Sequence, residues 1–491
     1  MTDKENPEKK DEKPESNKNV PEEKTSITEH QIVIKGKELV YTVTAGTLIL
    51  KEEDEKEGEK AKASLFYVAY KLHTDTPVSE RPITFSFNGG PGSSSVWMHL
   101  GLLGPKRVLM DNEGMPFPPP YKLIANDHTL LDKTDLVFID PVSTGFSRPV
   151  PGEKAAVYHN IKKDIESVGD FIYRFASRNK RWASPKFLIG ESYGTTRAAG
   201  LSKYLQERHG MYMNGVMLIS SILNFGTARF DPGNDLPYIL YLPTYTATAW
   251  YHQKLAPDLQ ADLTLALKES ENYAANEYTL ALMRGSNLGE SERASVLHKL
   301  ARLTGLSVDY IDRTDLRINI HRFCKELRRD EGLVVGRLDS RFTGKDRDSA
   351  GELYERDPSY SAILGPYTAM LNDYLGSDLK FESDLTYEIL TSLFQTWKYD
   401  EWQNQYVNLG EALREGFMLN PAMKVFIANG FFDLATPYFA TEYTVSHLGL
   451  PVEFLEKIKL TYYQAGHMMY LHKASLEILK TELDNFIDKT L

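Results

Sequence analysis

Cysteine is almost missing from this sequence: 491 residues carry a single one, Cys324, so no intrachain disulfide can form. A small scaffold stapled by disulfides is thereby excluded, and a reducing compartment fits. Cys324 sits in helical-looking text, HRFCKELRR, without a CxxC partner, and reads as a packed thiol. Long apolar runs are also missing. None reaches the roughly 20 residues a membrane-spanning helix needs, so no membrane partner is expected. The opening MTDKENPEKKDEKPESNK has no apolar core and does not read as a secretory signal, which makes a cytoplasmic location the expectation. Excess positive charge is lacking: the formal net charge is −11, which argues against nucleic acid as a main partner. There is no His-Glu-x-x-His and no Cys/His cluster at ligand spacing, so neither metal nor other cofactor is expected.

What is present is ordinary for a large globular enzyme, with 42% hydrophobic and 25% charged residues. Residues 1–26 are rich in Lys, Glu, Asp, Pro and Asn. They bury too little apolar surface to offset the entropy of ordering, and read as a disordered tail. Strand-like alternation follows at 31–34 and 38–43, then at 47–50 and 65–70. The last two are joined by KEEDEKEGEKAK, which reads as a solvated hairpin loop. The opening is therefore antiparallel.

From residue 82 the text changes. Short apolar runs at 83–87, 136–139, 187–189, 216–219, 425–427 and 459–463 end in Gly-, Asp- or Asn-bearing turns and lead into helical stretches. Strand–helix alternation of this kind predicts a mostly parallel α/β sheet. Residues 226–385 break the rhythm with long amphipathic stretches such as ADLTLALKESENYAANEYTLALMRG. We read 27–225 and 386–491 as two halves of one α/β core, and 226–385 as a helical cap inserted between them.

Gly190-Glu191-Ser192-Tyr193-Gly194 matches G-x-S-x-G, a turn that lifts a serine hydroxyl clear of a sheet edge. Alone the pattern is weak. Here an apolar run, 186–189, precedes it, and helical text, TTRAAGLSKYL, follows, which is the strand–turn–helix context the chemistry requires. A serine hydroxyl needs a base, and the base needs an orienting acid. Most histidines after Ser192, such as His298 and His321, lie in helical text. His467 instead follows the strand at 459–463, on a loop at the strand's carboxyl end, where open α/β sheets keep their sites. Asp433 follows the strand at 425–427 in the same way. Oxyanion donors are expected from the Tyr193 N–H and from Gly90, in the glycine loop Asn88-Gly89-Gly90-Pro91-Gly92.

Taken together, NGGPGSSS (88–95), LGP (103–105), DPVSTGFS (140–147), GESYG (190–194), NGFFDLATP (429–437) and AGH (465–467) resemble the serine carboxypeptidases, and LPTYTATAWYH (242–252) is similar to their bacterial branch. The resemblance implies an α/β-hydrolase fold. It implies an acyl-enzyme route that removes a C-terminal residue from peptide or protein substrates. It also implies a triad of Ser192, Asp433 and His467, with Asn88, Gly89 and Glu191 holding the substrate's terminal carboxylate. A carboxyl shielded from water beside the nucleophile stays protonated to higher pH and can then donate to that carboxylate.

Three positions depart from the family's pattern. Ser86 stands at the network's tryptophan, Leu102 at its second glutamate, and Ser93 at a usual cysteine. Arg197 is the expected substitute cation for the carboxylate, its rival role being a pair with a surface acid. Two other readings remain open: a related hydrolase or acyltransferase using the same triad on esters or other amides, and a non-catalytic binding scaffold. Oligomeric state is left undetermined.

Overall fold

Strands whose every residue is apolar must be covered on both faces, whereas alternating strands leave one face to water. Both kinds occur in the computed structural model, which describes residues 21–34, 36–55 and 58–491. Nine strands form the path of the main sheet: β1 (Thr25–Ile34), β2 (Lys37–Asp54), β3 (Gly58–Leu72), β4 (Ile83–Phe87), β5 (Asp135–Ile139), β6 (Lys186–Glu191), β7 (Gly215–Ile219), β8 (Lys424–Gly430) and β9 (Ile458–Tyr463). Their order is β1-β2-β3-β5-β4-β6-β7-β8-β9, and the two-residue strand Arg148–Pro149 pairs β3 off this path. The steps from β1 to β5 are antiparallel; from β5 through β9 every pair is parallel.

Five helices matter below: α1 (Ile161–Arg178), α2 (Tyr193–His209), α3 (Leu236–Tyr251), α4 (Pro358–Asp373) and α5 (Lys473–Thr490). The central strands β4, β6 and β7 are buried at every position, and their side chains divide by the period of two. Phe187, Ile189, Met217, Ile219 and Phe426 join an apolar layer with Leu479, Leu483 and Phe486 of α5. Leu188, Val216, Leu218, Val425 and Ile427 join the opposite layer with Phe171 of α1 and Leu201 and Leu205 of α2.

Two expectations about the opening change. The tail expected over 1–26 lies outside the described residues as far as residue 20. Beyond that the chain is tied down: Ile49 N–H donates to the Glu23 carboxylate at 2.8 Å, and Thr47 N–H donates to Lys24 O at 2.8 Å. Thr25 and Ser26 then open β1 because they continue its alternation against β2. The charged run expected as a loop instead continues the hairpin ladder out to Asp54 opposite Gly58. Opposite charges face across it, Lys51 and Glu59 meeting at 3.1 Å, so the polar run is compatible with a ladder in water.

The chain between β7 and β8 carries the inserted helices. They build an apolar core of their own from Tyr241 and Tyr245 of α3, Leu300, Leu303, Phe323 and Cys324. Cys324 is fully buried, a packed thiol. A small two-stranded element, Val334–Val335 with Thr343–Gly344, interrupts the helical text. Residues 386–405, expected in the second half of the core, contribute no strand to the main sheet, and Thr391 among them donates its N–H to Gly92 O at 2.9 Å. Among the described residues no helix is long and apolar enough to cross a membrane.

Leu479 tests the α5 layer. It is fully buried, so Leu479→Ala is expected to lower unfolding free energy by about 2–5 kcal/mol, read as a shift of the urea midpoint at unchanged slope.

Candidate active site

The turn from β6 into α2 has no room for a side chain at either of its glycines. A Cβ on Gly190 would lie 2.1 Å from Gly194 O, and one on Gly194 would lie 2.8 Å from Phe87 O. Ser192 between them adopts φ 60° and ψ −130°, a conformation that non-glycine residues avoid. Its N–H donates to Ile219 O at 3.0 Å, which fixes the turn to β7. Glu191 and Tyr193 are buried on either side, whereas Ser192 keeps partial access. The strained turn thus leaves Ser192 partly accessible between two buried neighbours.

β8 and β9 deliver the other two groups. The Asp433 carboxylate is wholly buried and accepts from Ala435 N–H at 2.8 Å, Thr436 N–H at 3.0 Å and Thr436 Oγ1 at 2.6 Å. Its Oδ2 lies 2.7 Å from His467 Nδ1. Burial alone would disfavour the imidazolium, but the charge and hydrogen bond of Asp433 outweigh it, and the His467 pKa is raised. Ser220 Oγ, at the end of β7, donates to His467 O at 2.6 Å. The same strand end thus holds both the serine turn, through Ile219, and the histidine loop, through Ser220.

The second turn that meets the serine follows β4. A Cβ on Gly89 would lie 2.4 Å from Tyr193 N, so this backbone rests directly on the start of α2. Tyr193 is the first residue of that helix, where N–H groups lack intrahelical acceptors. Gly90 has φ +104°, open to glycine and strained for other residues. Asn88 accepts Met98 N–H on Oδ1 at 3.2 Å, which fixes its amide orientation, and its buried Nδ2 has no hydrogen-bond partner. Burial raises the Glu191 carboxyl to about 7, while the charge of His467 and the hydrogen bond of Tyr470 oppose the rise.

Arg197 sits elsewhere than expected. It is 1% exposed, with Nε and Nη2 on the two oxygens of Asp164 at 2.8 and 3.0 Å and Nη1 on Asn88 O at 2.7 Å. Its guanidinium also lies over the rings of Phe87 and Tyr193. Every face is engaged inside the protein, so it is a clamp between α1, α2 and the glycine loop, and the expectation of a cation open to substrate does not fit its placement. The rival reading is corrected too: the acid that pairs with Arg197, Asp164, is buried and not at the surface. Leu102 is fully buried in the apolar layer, Ser86 is fully buried beneath the site, and Ser93 Oγ accepts Trp97 Nε1–H at 2.9 Å.

Several supporting groups escaped the sequence reading. Thr436 had a signal, a hydroxyl three residues after a strand-end aspartate. Tyr470 donates to Glu191 Oε2 at 2.5 Å. Asp140, raised to about 6 by burial, accepts Ser95 N–H and Oγ–H at 2.8 Å and so holds the far end of the glycine loop. The insertion contributes Leu338 O, which accepts His467 N–H at 2.7 Å, and Asp339, which accepts Gly466 N–H at 3.1 Å. Nothing local in the sequence links residues 338 and 339 to a loop more than a hundred positions away.

The sheet, parallel from β5 through β9 with Ser192 after β6, Asp433 after β8 and His467 after β9, has the α/β-hydrolase architecture. The fold is also that of a prohormone-processing carboxypeptidase from Saccharomyces cerevisiae, Kex1(delta)p, which superposes with TM-score 0.56 at 16% identity over 91% of each chain. The serine carboxypeptidase family profile matches residues 55–477, and the chain belongs to that family. Among curated relatives, the pheromone-processing carboxypeptidase KEX1 of Saccharomyces cerevisiae is 30% identical over 156 residues, 30% of this chain and 20% of the relative. Serine carboxypeptidase-like 50 of Arabidopsis thaliana is 23% identical over 269 residues, 52% of this chain and 54% of the relative. The matched stretch thus spans about a fifth to a half of the lengths of these curated relatives.

Arg197→Met separates clamp from ligand. Leaving Asp164 buried without its partner is expected to remove about 3–5 kcal/mol of stability. A lowered melting temperature, with free-acid and amide substrates slowed alike, is the expected result; a loss confined to free-acid peptides would contradict it.

Proposed function

We propose that this chain is a serine carboxypeptidase that releases the C-terminal residue of peptides or proteins through an acyl-enzyme on Ser192. The observation that carries the reading is the buried His467–Asp433 contact of 2.7 Å, tied to the same strand end as the Ser192 turn. In the forward step His467 takes the proton from Ser192 Oγ as that oxygen attacks the scissile carbonyl. Asp433 fixes the imidazole tautomer, with Nδ1–H donating to it. The N–H groups of Gly90 and Tyr193 receive the developing oxyanion. His467 then gives its proton to the departing amine, and water, activated by the same imidazole, hydrolyses the ester. No step calls on a metal or cofactor.

Substrate choice follows from what lies beside Ser192. Asn88 Nδ2, buried and unpaired, together with the Gly89 backbone and the protonated Glu191 carboxyl, receives the terminal carboxylate. A cytoplasmic setting belongs to the same proposal and leans on the lone buried thiol of Cys324.

Ser192→Ala is expected to abolish both fluorophosphonate labelling and turnover of blocked dipeptides. Free acids should be cleaved far better than matching amides. Ester turnover without peptide turnover would favour the related hydrolase or acyltransferase, and labelling that persists in the variant would sink the reading.

The pH dependence has a definite sign. Glu191 donates only while protonated and loses that proton near 7. KM for free-acid peptides should therefore rise as pH climbs through about 7, with KM for amides flat across the same window. A free-acid KM that already climbs near pH 5.5 would contradict this.

A further inference from the structure

The family pattern places a second glutamate where this chain has Leu102, and Leu102 is sealed in the apolar layer. A different group meets Glu191. The Tyr470 hydroxyl lies 2.5 Å from Glu191 Oε2, and Tyr470 is 2% exposed. The phenol is held well above its ordinary pKa by burial and by the neighbouring carboxyl, so it stays protonated and acts as donor at all working pH values. Space for its ring comes from Gly101: a Cβ there would lie 2.5 Å from Tyr470 Cε2 and 2.8 Å from Tyr367 Oη. The glycine preceding the lost carboxyl is therefore the position that lets the tyrosine in.

We propose that Tyr470 is the positioning residue of the carboxylate site, holding the Glu191 carboxyl in place by its hydroxyl and deciding when that carboxyl gives up its proton. The proposal rests on the reading that Glu191 receives the substrate's C-terminal carboxylate. The groups that act on Glu191 come from every side. Tyr470 follows the histidine loop and favours the ionised form. His467 also favours it, whereas Asp433 opposes it. Tyr367 projects from α4, itself influenced by Arg107 and Glu191. Among these, Tyr470 is the neutral donor in direct contact at 2.5 Å, so its removal alters the proton on Glu191 without altering the charge of the site.

Tyr470→Phe deletes the donor and keeps the ring. A hydrogen bond to a charged acceptor is of a size to move a carboxyl by about one pH unit. The expected result is that the midpoint of the free-acid KM transition moves upward by about that much relative to the amide KM measured in the same samples. A purely structural role would change both substrates together and leave the midpoint in place. Incorporating 3-fluorotyrosine at Tyr470 preserves shape and makes the phenol a stronger donor, so the midpoint should then move downward; this arm stands even where Tyr470→Phe fails to fold.

Glu191→Gln is the control for the underlying reading and should erase the transition. A transition erased by Glu191→Gln but unmoved by both changes at Tyr470 overturns the Tyr470 proposal alone. A transition that survives Glu191→Gln overturns the assignment of Glu191 itself, and the Tyr470 proposal with it.

Discussion

The Asp433 carboxylate is wholly buried and is the polar group on which the site depends. Three donors from its own turn and the imidazole of His467 satisfy it. A buried carboxylate is tolerable only when its lone pairs are filled, and filling them fixes both the turn after β8 and the orientation of His467. The imidazole accordingly has one nitrogen engaged and the other left for chemistry. Removing any of these donors would leave charge in a low-dielectric interior, so the geometry is enforced by electrostatics as much as by packing.

The loops around that pair are held from three directions. Ile219 and Ser220, at the end of β7, fasten the serine turn and the histidine loop to one strand. Arg197 and Asp164 fasten the glycine loop to α1 and α2 from beneath. Leu338 and Asp339 of the insertion fasten the histidine loop from above. The insertion is therefore a structural part of the site and not only a cover for it. Its Asp339 is paired in turn with Arg341 at 2.8 Å, so that this carboxylate too enters the interior with a partner.

Glu191 shows the opposite use of burial. Its carboxyl is held near 7 because desolvation outweighs the donors around it. A group poised there switches between donor and acceptor over a narrow range. Asp433, its lone pairs filled by hydrogen bonds, and Glu191, its carboxyl raised by burial, show two different uses of a buried acid.

How much could be read without coordinates depends on how local the cause is. G-x-S-x-G was legible because crowding between Gly190 and Gly194 acts within five residues. His467 and Asp433 were legible because strand ends announce themselves by apolar runs that stop at polar turns. The ladder through residues 51–62 was misjudged because cross-strand charge pairs look, along the chain, like a solvated run. Arg197 was misassigned for the same kind of reason: a cation near a nucleophile reads as a ligand until its partner, Asp164, 33 positions away, is seen. The chain by itself determined the strand–helix alternation, the strained serine turn and the residue types of the proposed triad, all set by steric and hydrophobic periods of a few residues. Only the tertiary structure decided that Arg197 faces inward, that Asp339 reaches the histidine loop, and that Tyr470 touches Glu191. Such contacts are closed by the packing of distant segments, and no short-range pattern encodes which segments will meet.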